Sequence, residues 1–226
     1  MILTDRQIKE AIDSGAIVIT PFDHAQVQSA SVDLRVGEVG ATTKTKRRVN
    51  IRENGFLILE PGDFGVISIY EELRLGPQYV GRIGLRSKYA RKGLIATTGP
   101  QIDPGYHGRL TLGVTNLTPQ TVSIPYKDDI LTLEIHRLEE PAQHPYAGPY
   151  QDKLGLGPED LEVIAEGDGM AFSEVLTTLR TLSANVGHLT SKMDTMQWVI
   201  PVILAVGIGI ITILVTIFGV IITLKH

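Results

Sequence analysis

Residues 86–116, RSKYARKGLIATTGPQIDPGYHGRLTLGVTN, gather the side chains best suited to handling phosphate. Ser87, Lys88, Arg91 and Lys92 form one polar, basic segment that ends at Gly93, and Asp103 follows inside an Asp-Pro-Gly turn. Cations can hold a polyphosphate, and one carboxylate can place a metal or activate a water. A plainer account fits the same residues, because Asp-Pro-Gly is an ordinary turn sequence and most basic segments are solvated surface. The strand after the turn alternates through Leu110, Leu112 and Val114, so Arg109, Thr111 and Gly113 share its other face.

Composition removes several other chemistries. The 226 residues carry a net charge of −4, which gives no reason to expect a nucleic-acid partner. There is no cysteine, which excludes disulfides, thiolate nucleophiles and cysteine-zinc sites. The six histidines contain no His-x-x-x-His pair, so no protein-only metal site is expected.

The elements that must position these residues are mostly strands. Thr4 with Gln7 three residues on predicts a capping box and a short helix through about Ser14. Val32, Leu34 and Val36 alternate with Ser31, Asp33 and Arg35, the period of a half-buried strand. Asp33 and Arg35 share one face, which predicts a surface ion pair between them. Residues 43–48, TKTKRR, read as a charged loop or hairpin tip, with anionic lipid as a minor alternative contact. Further short strands are expected at 17–20, 56–59, 65–70, 79–85, 121–124 and 130–137, separated by Gly and Pro turns. That pattern argues a mainly β domain over residues 1–140, a barrel or jelly roll. Residues 141–169, rich in Pro, Gly, Asp and Glu, read as a linker or a docking segment without regular structure.

The C-terminal part changes texture. Phe172, Val175, Leu179, Leu182, Val186, Leu189, Met193 and Met196 recur at alternating spacings of 3 and 4. This heptad predicts a coiled-coil stalk over residues 170–197. A surface-lying amphipathic helix is the alternative, disfavoured by a polar face poor in Lys and Arg. Residues 198–224 carry no charge and exceed the ~20 residues that span a bilayer core, so one transmembrane helix is expected. The expected localisation is therefore the membrane, through a single-pass C-terminal anchor. Lys192 and Lys225 flank the run almost symmetrically, and the lack of a secretory signal favours a cytoplasmic β domain.

Several motifs agree on one family. ILTDRQIKEAIDSGAIVITPFD with VQSASVDLRVG, then RSKYARKGL, then IDPGYHGRLTLGVTN together resemble the dCTP deaminase/dUTPase superfamily, and its deaminase branch more closely, over residues 2–137. The resemblance implies a distorted β-barrel or jelly roll assembled as a homotrimer, with active sites shared between neighbouring subunits. It implies a pyrimidine deoxynucleotide ligand, Ser87 and Arg91 as triphosphate contacts, and Tyr106 as the aromatic beside the deoxyribose. Asp103 would be the catalytic acid that, in the dUTPase branch, orients the attacking water. Arg86, Lys88 and Gln101 complete the candidate nucleotide-binding set. Mg²⁺ would enter through the phosphates. A trimeric core would sit naturally on a three-stranded coil.

The departures from the family pattern bear on chemistry. The deaminase strand reads Gly-x-Ile-Thr-Leu-Glu, and its Glu is the general base that activates water for attack on cytosine C4. Gly113 stands at that position here, leaving space but no proton-transfer group, and losing such a group costs ~10²–10⁴ in rate. The family's Ser-Ser pair is Ser87-Lys88, and Thr132 replaces a Gln that helps hold the nucleotide. The closing Lys-Tyr-x-x-Gln segment and the Gly-rich dUTPase arm are missing, and the register gives Glu134 no claim to the lost role. The expectation is a membrane-anchored nucleotide-binding protein without ordinary deaminase activity, a sensor or membrane effector. Two other classes stay open: a dUTP or dCTP hydrolase or deaminase using Asp103 and Mg²⁺, and a non-catalytic membrane scaffold for a protein partner.

Overall fold

The structure, a computed structural model, describes residues 1–166 and 170–223. The capping box forms as expected. Thr4 N–H donates to Gln7 Oε1 at 3.0 Å, and helix α1 (Asp5–Asp13) buries Ile8 and Ala11. The strands that follow are β1 (Ile17–Thr20), β2 (Val32–Thr42), β3 (Arg48–Asn50), β4 (Phe56–Leu59), β5 (Phe64–Leu75) and β6 (Tyr79–Leu85). They continue with β7 (Leu94–Ala96), β8 (Gln101–Ile102), β9 (His107–Asn116), β10 (Val122–Pro125) and β11 (Asp129–Arg137). Two single-turn helices interrupt them, α2 (Ile51–Asn54) and α3 (Ser87–Ala90).

One sheet runs β7-β9-β5-β2-β11-β6-β8, with β1 added to β5 and β3 to β2, while β10 and β4 pair separately. Register slips between Val36 and Gly40 on β2, and between Ser68 and Glu72 on β5, bend the two longest strands. The mainly β sheet curls around its core. Val32, Leu34 and Val36 point inward as their alternation predicts, and meet Ile67, Ile69, Leu73, Leu112, Val114 and Leu133, all buried. Each such side chain contributes roughly 1.5–3 kcal/mol. The charged stretch at 43–48 is the tip joining β2 to β3.

The surface ion pair expected between Asp33 and Arg35 does not form. Asp33 is buried and binds Arg86 and Thr132, while Arg35 donates to Glu71 from Nε at 2.6 Å and from its backbone N–H at 2.8 Å. Residues two apart on a strand stand ~7 Å from one another, and each charge finds a nearer partner across the sheet. The Pro/Gly stretch also holds a helix, α4 (Pro158–Glu166). Proline at its first position and two acids in its first turn suit a helix start. Ile164 of α4 and nearby Leu156 pack on Ala41 and Val66.

Two compact units divide between Glu174 and Val175. The described part of the second belongs to helix α5 (Met170–Thr223), which contains Pro201. Of the expected heptad, Leu179, Leu182, Val186, Leu189, Met193 and Met196 have described side chains, and all are more than half exposed. Phe172 and Val175 lie outside the described side chains. The membrane expectation is corrected: among the described residues no helix is long and apolar enough to cross a membrane. The single-pass anchor, the membrane localisation and the membrane partner therefore have no support.

Candidate nucleotide site

β9 sets one wall of a cavity of about 510 Å³: Arg109, Leu110, Thr111 and Gly113 line it while Leu112 and Val114 fill the core. The turn after β8 supplies Asp103, and β8 itself supplies Gln101, whose Nε2 donates to Asp103 Oδ1 at 2.7 Å. Tyr106 closes the same turn. It is buried with its ring 5.7 Å from that of Tyr146, and burial, then the neighbouring Tyr146, pushes its hydroxyl up to about 12. Asp103, Gln101 and Tyr106 thus meet as one group.

The basic segment lies elsewhere in the subunit. Arg86, Ser87, Lys88 and Arg91 are absent from the cavity lining. Arg86 is tied to Asp33, and Lys88 Nζ lies 2.5 Å from Asp128 Oδ1. Burial raises the Asp128 carboxyl, but hydrogen bonds from Lys88 and the Tyr89 hydroxyl outweigh it and hold the acid below its usual range. Burial and Asp128 together push the Tyr89 hydroxyl up. Ser87, at the start of α3, and Arg91, just beyond it, are exposed.

Gly113 does not leave open space. A Cβ there would sit 2.5 Å from Thr97 Oγ1 and 3.2 Å from Phe64 Cε2. Its backbone is engaged as well: the N–H donates to Thr98 Oγ1 at 2.6 Å, and the carbonyl accepts from Thr97 N–H at 2.9 Å. Thr97 and Phe64 occupy the space a Cβ would need. Thr132 is likewise committed, donating to Asp33 Oδ1 at 3.3 Å. Glu134 is half-exposed beside His136 and does not line the cavity.

A segment read as linker borders the cavity. Tyr146 N–H donates to Pro104 O at 2.8 Å, Gln151 Nε2 to Gly105 O at 3.1 Å, and Arg109 N–H to Lys153 O at 2.7 Å. Gly105, at φ +84°, lets this strap approach, since a Cβ would meet Pro145 Cβ at 2.5 Å. Tyr146, Tyr150, Lys153 and Asp160 join the lining. Lys153 Nζ stands 2.7 Å from Glu159 and 2.6 Å from Asp160, an ion pair by distance rather than an aligned hydrogen bond. Burial lowers this ammonium, but Asp160 and Glu159 overcome it and hold it above its usual range. His107 pins the strap from the other side, with Nδ1 2.5 Å from Asp152 and Nε2 2.8 Å from Glu72. A second hollow of about 700 Å³ opens there, lined by Glu72, Arg74, His107 and Asp152, and holds none of the expected site residues.

Sequence reasoning passed over Tyr146, Tyr150, Lys153 and Phe64, because docking across 40 or more residues leaves no local pattern, and Thr97, whose pairing with β9 a three-residue strand did not announce. For Arg109 a signal existed, its shared face with Thr111 and Gly113.

A sequence profile described as dCTP deaminase-like matches residues 2–138. This chain belongs to the dCTP deaminase-like family. The dCTP deaminase of Thermococcus sibiricus is 35% identical over 156 residues, covering 69% of this chain and 95% of that relative. A protein of Methanothermobacter thermautotrophicus named "dCTP deaminase, dUMP-forming" is 31% identical over 175 residues, covering 69% of this chain and 89% of its own length. Among solved structures, 2'-deoxycytidine 5'-triphosphate deaminase from Agrobacterium tumefaciens aligns at a TM-score of 0.52 and 19% identity, over 60% of this chain and 48% of that one. That likeness supports the fold alone.

Proposed function

We propose that this chain binds a pyrimidine deoxynucleotide as a homotrimer, without ordinary dCTP deamination, and serves as a nucleotide sensor. Family membership supports the ligand class, with relatives named dCTP deaminase. The carrying observation is Gly113, where the resemblance calls for the general base. Deamination adds a water oxygen to C4, breaks the C4–N4 bond and releases ammonia, which requires a group to take and return a proton. Gly113 has none, and Thr97 and Phe64 hold its space.

The trimer reading has two supports. Ser87 and Arg91, the implied triphosphate contacts, are exposed and apart from the Asp103 cavity within one subunit, so a neighbour's segment would complete the site. The exposed heptad residues of α5 would be covered by two further copies in a coiled coil.

A second reading, hydrolysis of dUTP or dCTP, is favoured by Asp103 facing the cavity with Gln101 beside it. Among the described residues no group of three His, Asp or Glu side chains is placed to hold a metal, so Mg²⁺ would be carried by the phosphates and supply charge neutralisation there. Calorimetric titration with dCTP, dUTP and dTTP tests the main reading, which fails if none binds. Release of pyrophosphate by the wild type but not by Asp103→Asn would establish the second.

A further inference from the structure

The β9 wall carries two polar atoms that the chain does not satisfy. Arg109 Nε and Thr111 Oγ1 are buried and have no hydrogen-bond partner. Both residues line the 510 Å³ cavity. Polar neighbours around it are engaged: Gln101 with Asp103, Thr98 with the Gly113 N–H, and Lys153 with Glu159 and Asp160. Buried polar groups are nearly always paired, and leaving one unmet carries the full desolvation penalty. Two unmet groups on one wall of one cavity mark a surface that a bound molecule completes.

Their chemistry restricts that molecule. A guanidinium only donates, so its partner must present an acceptor oxygen or ring nitrogen. Arg109 and Thr111 are two residues apart on one face of β9, with backbones ~7 Å apart, so one ligand can approach both. The rings of Tyr106 and Tyr146 in the same lining suit a flat, partly apolar ligand. The strap holds Arg109 in place, because its N–H donates to Lys153 O at 2.7 Å.

We propose that Arg109, with Thr111 beside it, binds the ligand of this cavity through an acceptor oxygen, a base carbonyl or a phosphate oxygen, and helps select the nucleotide. The proposal rests on the nucleotide-binding reading above and adds to it: the phosphate contacts implied by the resemblance lie on residues 86–91, and none lies on β9. Arg109 is a ligand-binding residue kept at a cost to the empty fold.

The test uses the full chain and the variants Arg109→Met and Thr111→Val. Nucleotide-free Arg109→Met should melt at the wild-type temperature or above it, since it removes an unmet donor and keeps the apolar stem. It should weaken dUTP and dCTP binding by ~10-fold or more, with a smaller loss for Thr111→Val. Titration with deoxyuridine and with inorganic tripolyphosphate separates the two sources: the fragment whose binding depends on Arg109 carries the acceptor. A wild type that binds dUTP or dCTP, with Arg109→Met binding equally well, would overturn the proposal and leave the nucleotide reading intact. A wild type that binds none of the probes would overturn both. A melting temperature several degrees lower in nucleotide-free Arg109→Met would make the side chain structural and also overturn the proposal.

Discussion

The two halves of residues 86–116 are built to opposite ends. In the first, Arg86 and Lys88 spend their charges inside the subunit, on Asp33 and Asp128, and Ser87 and Arg91 are turned out to solvent. In the second, β9 faces a cavity, leaves Arg109 and Thr111 unmet, and presents a filled glycine position where an acid would act. The first half is held by ion pairs within the chain. The second lines a cavity and carries the buried polar atoms that have no partner within it.

The strongest way to break that contrast is to remove the anchor. Asp33→Ala leaves the Arg86 guanidinium and the Thr132 hydroxyl without their partner and should cost about 3 kcal/mol, the lower end for a broken buried pair because Arg86 is about one-third exposed. Urea unfolding would show it as a lower midpoint with an unchanged slope. A loss below about 0.5 kcal/mol, that of an ordinary surface substitution, would mean the segment is not anchored there.

Next in size is Gly113→Glu. Reintroducing the acid forces its Cβ against Thr97 Oγ1, so it should destabilise by about 1–3 kcal/mol and restore no deamination. Adding Thr97→Gly removes the clash and should recover part of the loss, read as melting temperatures of the single and double variants. A single variant as stable as wild type would show that the space is not truly taken.

The smallest effect concerns the strap. Hydrogen bonds first to Asp152 and then to Glu72 raise His107 above its ordinary 6.5, against a smaller opposing effect of burial. Arg74, across the sheet from His107, is the other charge lining that hollow. The unfolded imidazole titrates lower, so the clamp's contribution is complete below about pH 6.5 and fades as pH rises through the folded value. Amide exchange over residues 145–153, corrected for intrinsic rate, should quicken as pH rises above about 6.5, with the change abolished in His107→Gln. The imidazole is about one-third exposed, which keeps the effect modest. Equal pH dependence in wild type and variant would exclude the clamp.

Local pattern carried most of the fold. The Thr4–Gln7 box, the alternation of Val32, Leu34 and Val36, and the inward Leu112 and Val114 are legible because each is decided within a few residues, whereas Leu110 is half-buried and lines the cavity. What failed depended on distant partners. Asp33 and Arg35 were paired with each other because strand neighbours are visible in sequence, whereas Arg86 and Glu71 are not. Helix α4 hid in a Pro/Gly composition although Pro158, Glu159 and Asp160 marked its start. The family's closing segment was judged missing from its motif, yet residues 145–153 dock beside the cavity with different side chains. Gly113 was read as vacant because a sequence shows a lost side chain but not the neighbours that fill in behind it. The apolar C-terminal run suggests a membrane span by its length and lack of charge, and among the described residues no helix meets that requirement.

Incubation of the full chain with dCTP, under conditions where calorimetry detects binding, tests the account most directly. Chromatography of the products should show dCTP bound and unchanged, with no dUTP or dUMP and no ammonia above the no-protein control. Steady formation of dUTP or dUMP with ammonia, abolished by Asp103→Asn, would contradict it: the cavity would then possess a proton-transfer group that Gly113 does not provide.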